Sequence, residues 1–145
     1  MLLIREAVAQ DFHAILRLMK EELGYPDLDE AGALRRLEFF RSSNDWATFV
    51  ASNDDEIIGF IGVMKGVTYN IEGYYSQIMV LVISENSRRS GVGTALVNKA
   101  EEWSLSHGIT DISVSSNIRR LDAYAFYENI GYAKRSFSFI KHLGK

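Results

Sequence analysis

The chain contains no cysteine. That excludes a disulfide framework, a zinc–thiolate site and a thiol nucleophile, and it is compatible with a reducing compartment. Proline occurs once, and no proline-, glycine- or serine-rich tract reads as a linker. No stretch reaches the roughly 18 apolar residues of a membrane span. A surplus of positive charge is missing too. Sixteen Lys and Arg stand against 19 Asp and Glu, a net charge of −3, so neither nucleic acid nor an anionic membrane is expected as the main partner. Histidine is scarce and scattered: His13, His107 and His142 have no metal-ligand spacing, and no metal is expected. His107 is most simply a favourable cation at a helix C-terminus. The opening "MLLIREAVAQDF" carries charge within its first five residues and no long apolar run. It does not read as a signal peptide, so a cytoplasmic location is expected.

What is present fits a single domain over residues 1–145. Short apolar runs alternate with helical patterns. "LLIREA" reads as a strand. "DFHAILRLMKEELG" puts Phe12, Ile15, Leu16, Met19 and Leu23 on one helical face, and "EAGALRRLEFF" is a second, weaker helix. "ATFVAS" and "EIIGFIGVMKGVTY" read as strands joined by a hairpin turn at "NDDE", and "YYSQIMVLVI" as a buried strand. "GVGTALVNKAEEWSLSHG" is a helix with Val92, Leu96, Ala100 and Trp103 on one face. "TDISVSS" is a strand, "RRLDAYAFYENIG" a helix, and "SFSFIKHL" a last alternating strand. The order predicts a mixed α/β (α+β) fold, with helices covering a largely antiparallel sheet.

Between a strand and a helix lies "SRRSGVGTALV", residues 87–97. The first amides of a helix lack intrahelical partners and carry the positive end of the helix dipole. Glycine lets a backbone approach a ligand closely, and Arg88 and Arg89 add charge that reaches phosphate oxygens. An anion site results. The spacing is neither a Walker A loop nor a dinucleotide fingerprint. Taken alone, the same residues also suit a solvated basic turn opening a helix.

The segment Arg88-Arg89-Ser90-Gly91-Val92-Gly93 resembles the Q/R-x-x-G-x-G/A pyrophosphate loop of the GCN5-related N-acetyltransferases. Downstream, "NIRRLDAYAFYENIGY" is similar to that family's second signature: an Asn, then a helix containing Ala-x-x-Phe-Tyr-x-x-x-Gly-Tyr/Phe. Together and in this order the two motifs are specific, and the element order extends the resemblance over the whole chain. It implies a sheet of about six to seven strands flanked by about four helices, and acyl transfer from acetyl-CoA to an amine. It implies that the amides of Arg89, Ser90, Gly91, Val92, Gly93 and Thr94, with the Arg88 side chain, hold the coenzyme A pyrophosphate. Backbone groups of Leu81, Val82 and Ile83 would pair with the pantetheine arm like an added strand. An amide there would also face the thioester carbonyl. Asn117 would hydrogen-bond the pantetheine or cap the next helix; the two roles are compatible.

By the same resemblance Tyr127 lies beside the thioester sulfur as general acid, and core packing is its alternative. Phe126 and Tyr127 are neighbours on a helix and cannot share a face, so Phe126 suits the core. Tyr124, one turn earlier, reads as a wall residue. One departure from the family stands out. Many members carry a glutamate on the strand before the loop, whereas Gln77 to Ser84 include no ionisable side chain. Glu72 reads as a solvated turn residue, Gln77 could hold a water, and no base is assigned. The final stretch also resembles the aminoalkylphosphonate N-acetyltransferases, without their strand carboxylates. The loop after the first helix carries Glu21, Glu22, Asp27, Asp29 and Glu30, an acidic rim that would favour a cationic small amine such as a polyamine or aminoglycoside, or a peptide N-terminus; taken singly, each residue reads as part of a solvated loop. Members are often homodimers, so a homodimer is an expectation as well. A coenzyme A-binding sensor that has lost catalysis is the competing reading, motivated by the missing strand carboxylate.

Overall fold

In the computed structural model of the chain, which describes residues 1–115, 121–136 and 138–144, strands and helices follow the expected alternation. The order is β1 (Leu2–Glu6), α1 (Phe12–Glu22), α2 (Glu30–Ser42), β2 (Trp46–Asn53), β3 (Glu56–Gly66), β4 (Tyr75–Ile83), α3 (Val92–Ser106), β5 (Ile112–Val114) and α4 (Leu121–Asn129). The strands form one sheet ordered β1-β2-β3-β4-β5. β1 to β4 pair antiparallel, and β5 joins β4 in parallel. The mixed, largely antiparallel sheet is therefore as expected, but it has five strands among the described residues.

The hairpin at "NDDE" closes with Asp54 and Asp55 at φ 50° and 70°. Two successive left-handed residues match the twist of the flanking strands. The alternating stretch "SFSFIKHL" does not form the expected strand: residues 138–144 are in neither strand nor helix. Phe139, Ile140 and Leu143 are 94%, 95% and 87% exposed. Alternation supplies a strand-like face, but a strand also needs a neighbour for its peptide groups.

Each sheet face buries its own apolar cluster. On one face, Phe12, Ile15, Leu16 and Leu18 of α1 and Leu37 of α2 pack against Val50, Ile57, Phe60 and Val82. Met19 and Leu23 border this cluster; Leu18 was not among the residues expected there, yet it is fully buried. On the other face, Val92, Leu96, Val97 and Ala100 of α3 meet Phe49, Ile61, Val63 and Ile78, with Trp103, Phe126, Ile130 and Tyr132 at the border. Burial of such side chains stabilises the fold by about 1.5–3 kcal/mol each, before conformational entropy is counted. No helix among the described residues is long and apolar enough to cross a membrane.

Candidate active site

The site begins with an extra residue in β4. Gly62 pairs with Val80 and Val63 with Ile78, so Met79 is bulged out of the β3–β4 ladder. One extra residue reverses the facing of everything after it. Ile78 packs on the α3 side, but beyond the bulge it is Leu81 and Ile83 that border the α3 cluster, while Val80 and Val82 turn to α1 and α2. The bulge also marks where β5 leaves. β5 pairs with β4 only at Ser76, Gln77 and Ile78. Leu81, Val82 and Ile83 remain paired with Ile61, Phe60 and Gly59 of β3, but on their other side they meet no strand among the described residues. That edge offers peptide groups to an extended ligand.

From this edge the chain passes through a one-turn 3-10 helix, Glu85–Ser87, into a turn and then α3. Arg89 and Gly91 both have left-handed backbones, at φ 63° and 87°. Glycine takes that conformation freely, whereas at Arg89 it costs about 1 kcal/mol. Gly91 is the N-cap of α3 and has no side chain to cap it, and its carbonyl accepts the first helical bond from the Ala95 amide at 3.0 Å. The amides of Val92, Gly93 and Thr94 are thus those that a first helical turn leaves without intrahelical acceptors. The Ser90 hydroxyl donates to the Ser87 carbonyl and tightens the turn from within.

The two glycines are required for different reasons. A Cβ on Gly91 would meet nothing within 4 Å, so its φ is what demands glycine. A Cβ on Gly93 would lie 3.2 Å from Phe126 Cζ and 3.9 Å from Ile83 Cγ1. Gly93 therefore has a packing reason in addition to any approach of a ligand. It is also where the end of β4, the start of α3 and α4 converge.

The arginines diverge as well. Arg88 turns to the end of α1, where its guanidinium donates to Glu22 Oε1 at 2.7 Å and, more weakly, to the Ile83 carbonyl at 3.4 Å. Glu22 Oε2 accepts the Glu85 amide at 3.2 Å. Arg89 is exposed and forms no ion pair among the described residues. Within the acidic loop, Glu22 is taken by Arg88 and Glu30 by Lys20 at 2.7 Å. Glu21, Asp27 and Asp29 stay exposed.

On α4, Phe126 borders the α3 core cluster, as expected from its adjacency to Tyr127. Tyr127 is half-buried. Its ring stands edge-on to Phe126 at 5.1 Å and to Tyr132 at 5.8 Å between centroids. Tyr124 lies under the Lys134 ammonium, 5.4 Å from ring centroid to Nζ. Beyond α4, Gly131 at φ 99° reverses the chain. Its amide donates to Glu128 O at 3.1 Å, and the Tyr132 amide donates to Tyr127 O at 2.9 Å. This is a Schellman closure. The Tyr132 hydroxyl then donates to Glu101 Oε2 on α3 at 2.8 Å. Burial, reinforced by that carboxylate, pushes the Tyr132 pKa well above its ordinary value, so it keeps its proton.

Asn117 lies outside the described residues. β4 carries no carboxylate, and Gln77 to Ser84 no ionisable side chain; Gln77 is half-buried on the strand and Glu72 is exposed before it. His107 caps the C-terminus of α3, with Nδ1 2.8 Å from the Trp103 carbonyl. No sequence pattern announces the bulge at Met79, Glu22 as the partner of Arg88, or Glu101 behind Tyr132.

Residues 12–132 match the model of the acetyltransferase (GNAT) family. The aminoalkylphosphonate N-acetyltransferase of Salmonella typhimurium is 27% identical over 147 residues, covering 97% of this chain and 90% of its own. A crystal structure called a transcriptional regulator, from Bacillus halodurans C-125, superposes with a TM-score of 0.91 at 23% identity, over 99% of this chain and 100% of its own. The aminoglycoside N-acetyltransferase AAC(6')-Iy in complex with CoA superposes with a TM-score of 0.87 at 14% identity, over 98% and 94%. At such identities the two structures share the fold.

Proposed function

The chain belongs to the acetyltransferase (GNAT) family and is an N-acetyltransferase, and from that premise we propose that it moves an acetyl group from acetyl-CoA to a primary amine of a small molecule or peptide, with Tyr127 as general acid. The observation that carries this reading is the convergence at Gly93. The open edge of β4, the amide-rich start of α3 and the helix bearing Tyr127 meet there.

These residues suit coenzyme A chemically. A strand edge without a neighbour matches the amides of a pantetheine arm, and bare helical amides beside Arg89 match a pyrophosphate. Leu81, Val82 and Ile83 would hold the arm, and the amides from Arg89 to Thr94 the phosphates. Arg88 would add charge once it leaves Glu22, and Asn117 joins the set on resemblance alone. Acetyl-CoA supplies the acyl group already activated as a thioester.

Tyr127 donates its hydroxyl proton to the departing sulfur as the amine nitrogen bonds the carbonyl carbon and the carbon–sulfur bond breaks. A free thiol has a pKa near 8.5 and tyrosine near 10, so full transfer is uphill by roughly 2 kcal/mol. Removing the thiolate from water raises its basicity and narrows that gap. The amine's own proton has no carboxylate on β4 to receive it; it leaves through water, and a proton from water restores the Tyr127 hydroxyl.

Among acceptors, the exposed Glu21, Asp27 and Asp29 favour a polycation over an aminoalkylphosphonate, whose phosphonate they would repel. Thiol release from acetyl-CoA with spermidine, sisomicin, 2-aminoethylphosphonate and a short peptide tests both points. Turnover is expected with the polycations first. Acetyl-CoA binding with no turnover on any of them would overturn the enzymatic reading for a coenzyme-binding module, and preference for the phosphonate would overturn the role of the acidic loop.

A further inference from the structure

Tyr127 could serve as an acid only if its hydroxyl is held in one place, and α4 alone does not do that. The helix bearing it ends at Asn129, two residues later, and the last turn of a helix frays. Around Tyr127, however, three restraints converge on its neighbour Tyr132. The Schellman closure bonds the Tyr132 amide to the Tyr127 carbonyl. The two rings are in edge-to-face contact. The Tyr132 hydroxyl is hydrogen-bonded to Glu101, which lies in the middle of α3, a helix packed across the sheet. Phe126 also stands edge-to-face with the Tyr127 ring and itself packs on Gly93 at the start of α3.

We propose that Glu101 and Tyr132 are positioning residues for Tyr127, a brace that ties the end of α4 to α3 and fixes the acid's ring against the site. The proposal rests on the reading of Tyr127 as acid. Neither residue need touch a substrate. Glu101 receives the Tyr132 hydroxyl, Tyr132 presents the edge or face that orients the Tyr127 ring, and the closure at Gly131 sets the spacing between them. Burial first, and then the bond to Glu101, keep the proton on Tyr132, so the tie is made by a neutral phenol.

The test is a double-mutant cycle with Tyr132→Phe, Tyr127→Phe and their combination, in the full chain, with acetyl-CoA and sisomicin or, if it turns over faster, spermidine. Tyr132→Phe keeps the ring and loses the tie to Glu101. It should lower kcat about 10- to 100-fold, the scale of an ångström-level misplacement, with acetyl-CoA affinity unchanged. Glu101→Gln, which retains an acceptor oxygen, should recover most of the kcat that Glu101→Ala loses. In the Tyr127→Phe background, Tyr132→Phe should cost little more, because the group it positions is gone. Without any coenzyme, the NMR signals of the Tyr127 ring should shift or broaden in Tyr132→Phe. Full kcat in Tyr132→Phe, losses that multiply in the double variant, or an unmoved Tyr127 signal would each overturn the brace while leaving Tyr127 as acid. Full kcat in Tyr127→Phe would overturn both.

Discussion

Arg88 and Glu22, 66 residues apart in sequence, meet at 2.7 Å between the guanidinium and the carboxylate. The pair joins the end of α1 to the loop that opens α3. Glu22 is only 15% exposed at its side chain, Arg88 46%. The arginine that the motif assigns to a phosphate is therefore already occupied by an anion of the chain itself. On the proposed reading, a pyrophosphate entering the loop would compete with Glu22 for it.

Replacing Glu22 by Gln removes the competitor. Acetyl-CoA should then bind about two- to fivefold more tightly, the range of a partly exposed ion pair. Titration calorimetry measures this. Weaker binding would mean that Glu22 serves mainly to hold the loop, through Arg88 and the Glu85 amide, in the form the coenzyme needs.

The glycines of the loop should separate in their effects. Gly91→Asn supplies a residue that tolerates left-handed φ and places a side chain over the amides. Its melting temperature should stay near that of the parent while acetyl-CoA affinity drops. Gly93→Ala requires Phe126 to give by a few tenths of an ångström; with that ring packed against Tyr127 the variant should lose about 1 kcal/mol of stability, the low end of overpacking. Thermal melts and coenzyme titrations on both variants check the split; equal destabilisation of the two would contradict it.

Much of this was legible in the sequence because it is local. The hairpin at Asp54 and Asp55, the helix that Gly91 opens and the division of Phe126 from Tyr127 all follow from neighbours within a few residues. Features built across the sheet were not. The bulge at Met79 exists only because β3 and β4 pair with unequal counts, and no composition signal in "QIMVLVI" announces it. Gly93 reads as a phosphate-loop glycine, yet Phe126, which packs on it, is 33 residues further along the chain. Residues 136–143 misled in the opposite direction. Their alternation is real, but periodicity alone supplies no partner strand.

Acid should weaken the fold through Asp11. Arg5 holds its carboxylate with bonds of 2.7 and 2.9 Å, and the Val8 amide adds a third at 2.8 Å. The Arg5 bond keeps the Asp11 pKa below its ordinary value despite burial. The folded pKa is thus lower than the unfolded one. The resulting stability is fully present above the ordinary aspartate value of about 4 and is lost as pH falls through the depressed one. Asp11→Asn should cost about 1 kcal/mol at pH 7, a modest figure because Arg5 remains over a third exposed. The variant's melting temperature should also fall less between pH 5 and pH 2 than the parent's. Parallel pH dependence in the two proteins would remove Asp11 from the account.

Whether Tyr127 acts as the acid is read from kcat for Tyr127→Phe beside its acetyl-CoA affinity and melting temperature. The hydroxyl matters only as charge develops on sulfur. A kcat loss of about 10²–10⁴-fold is therefore expected, with coenzyme affinity and stability close to the parent's. A folded Tyr127→Phe enzyme that turns over at the parental rate would contradict it and return Tyr127 to a packing role between Phe126 and Tyr132.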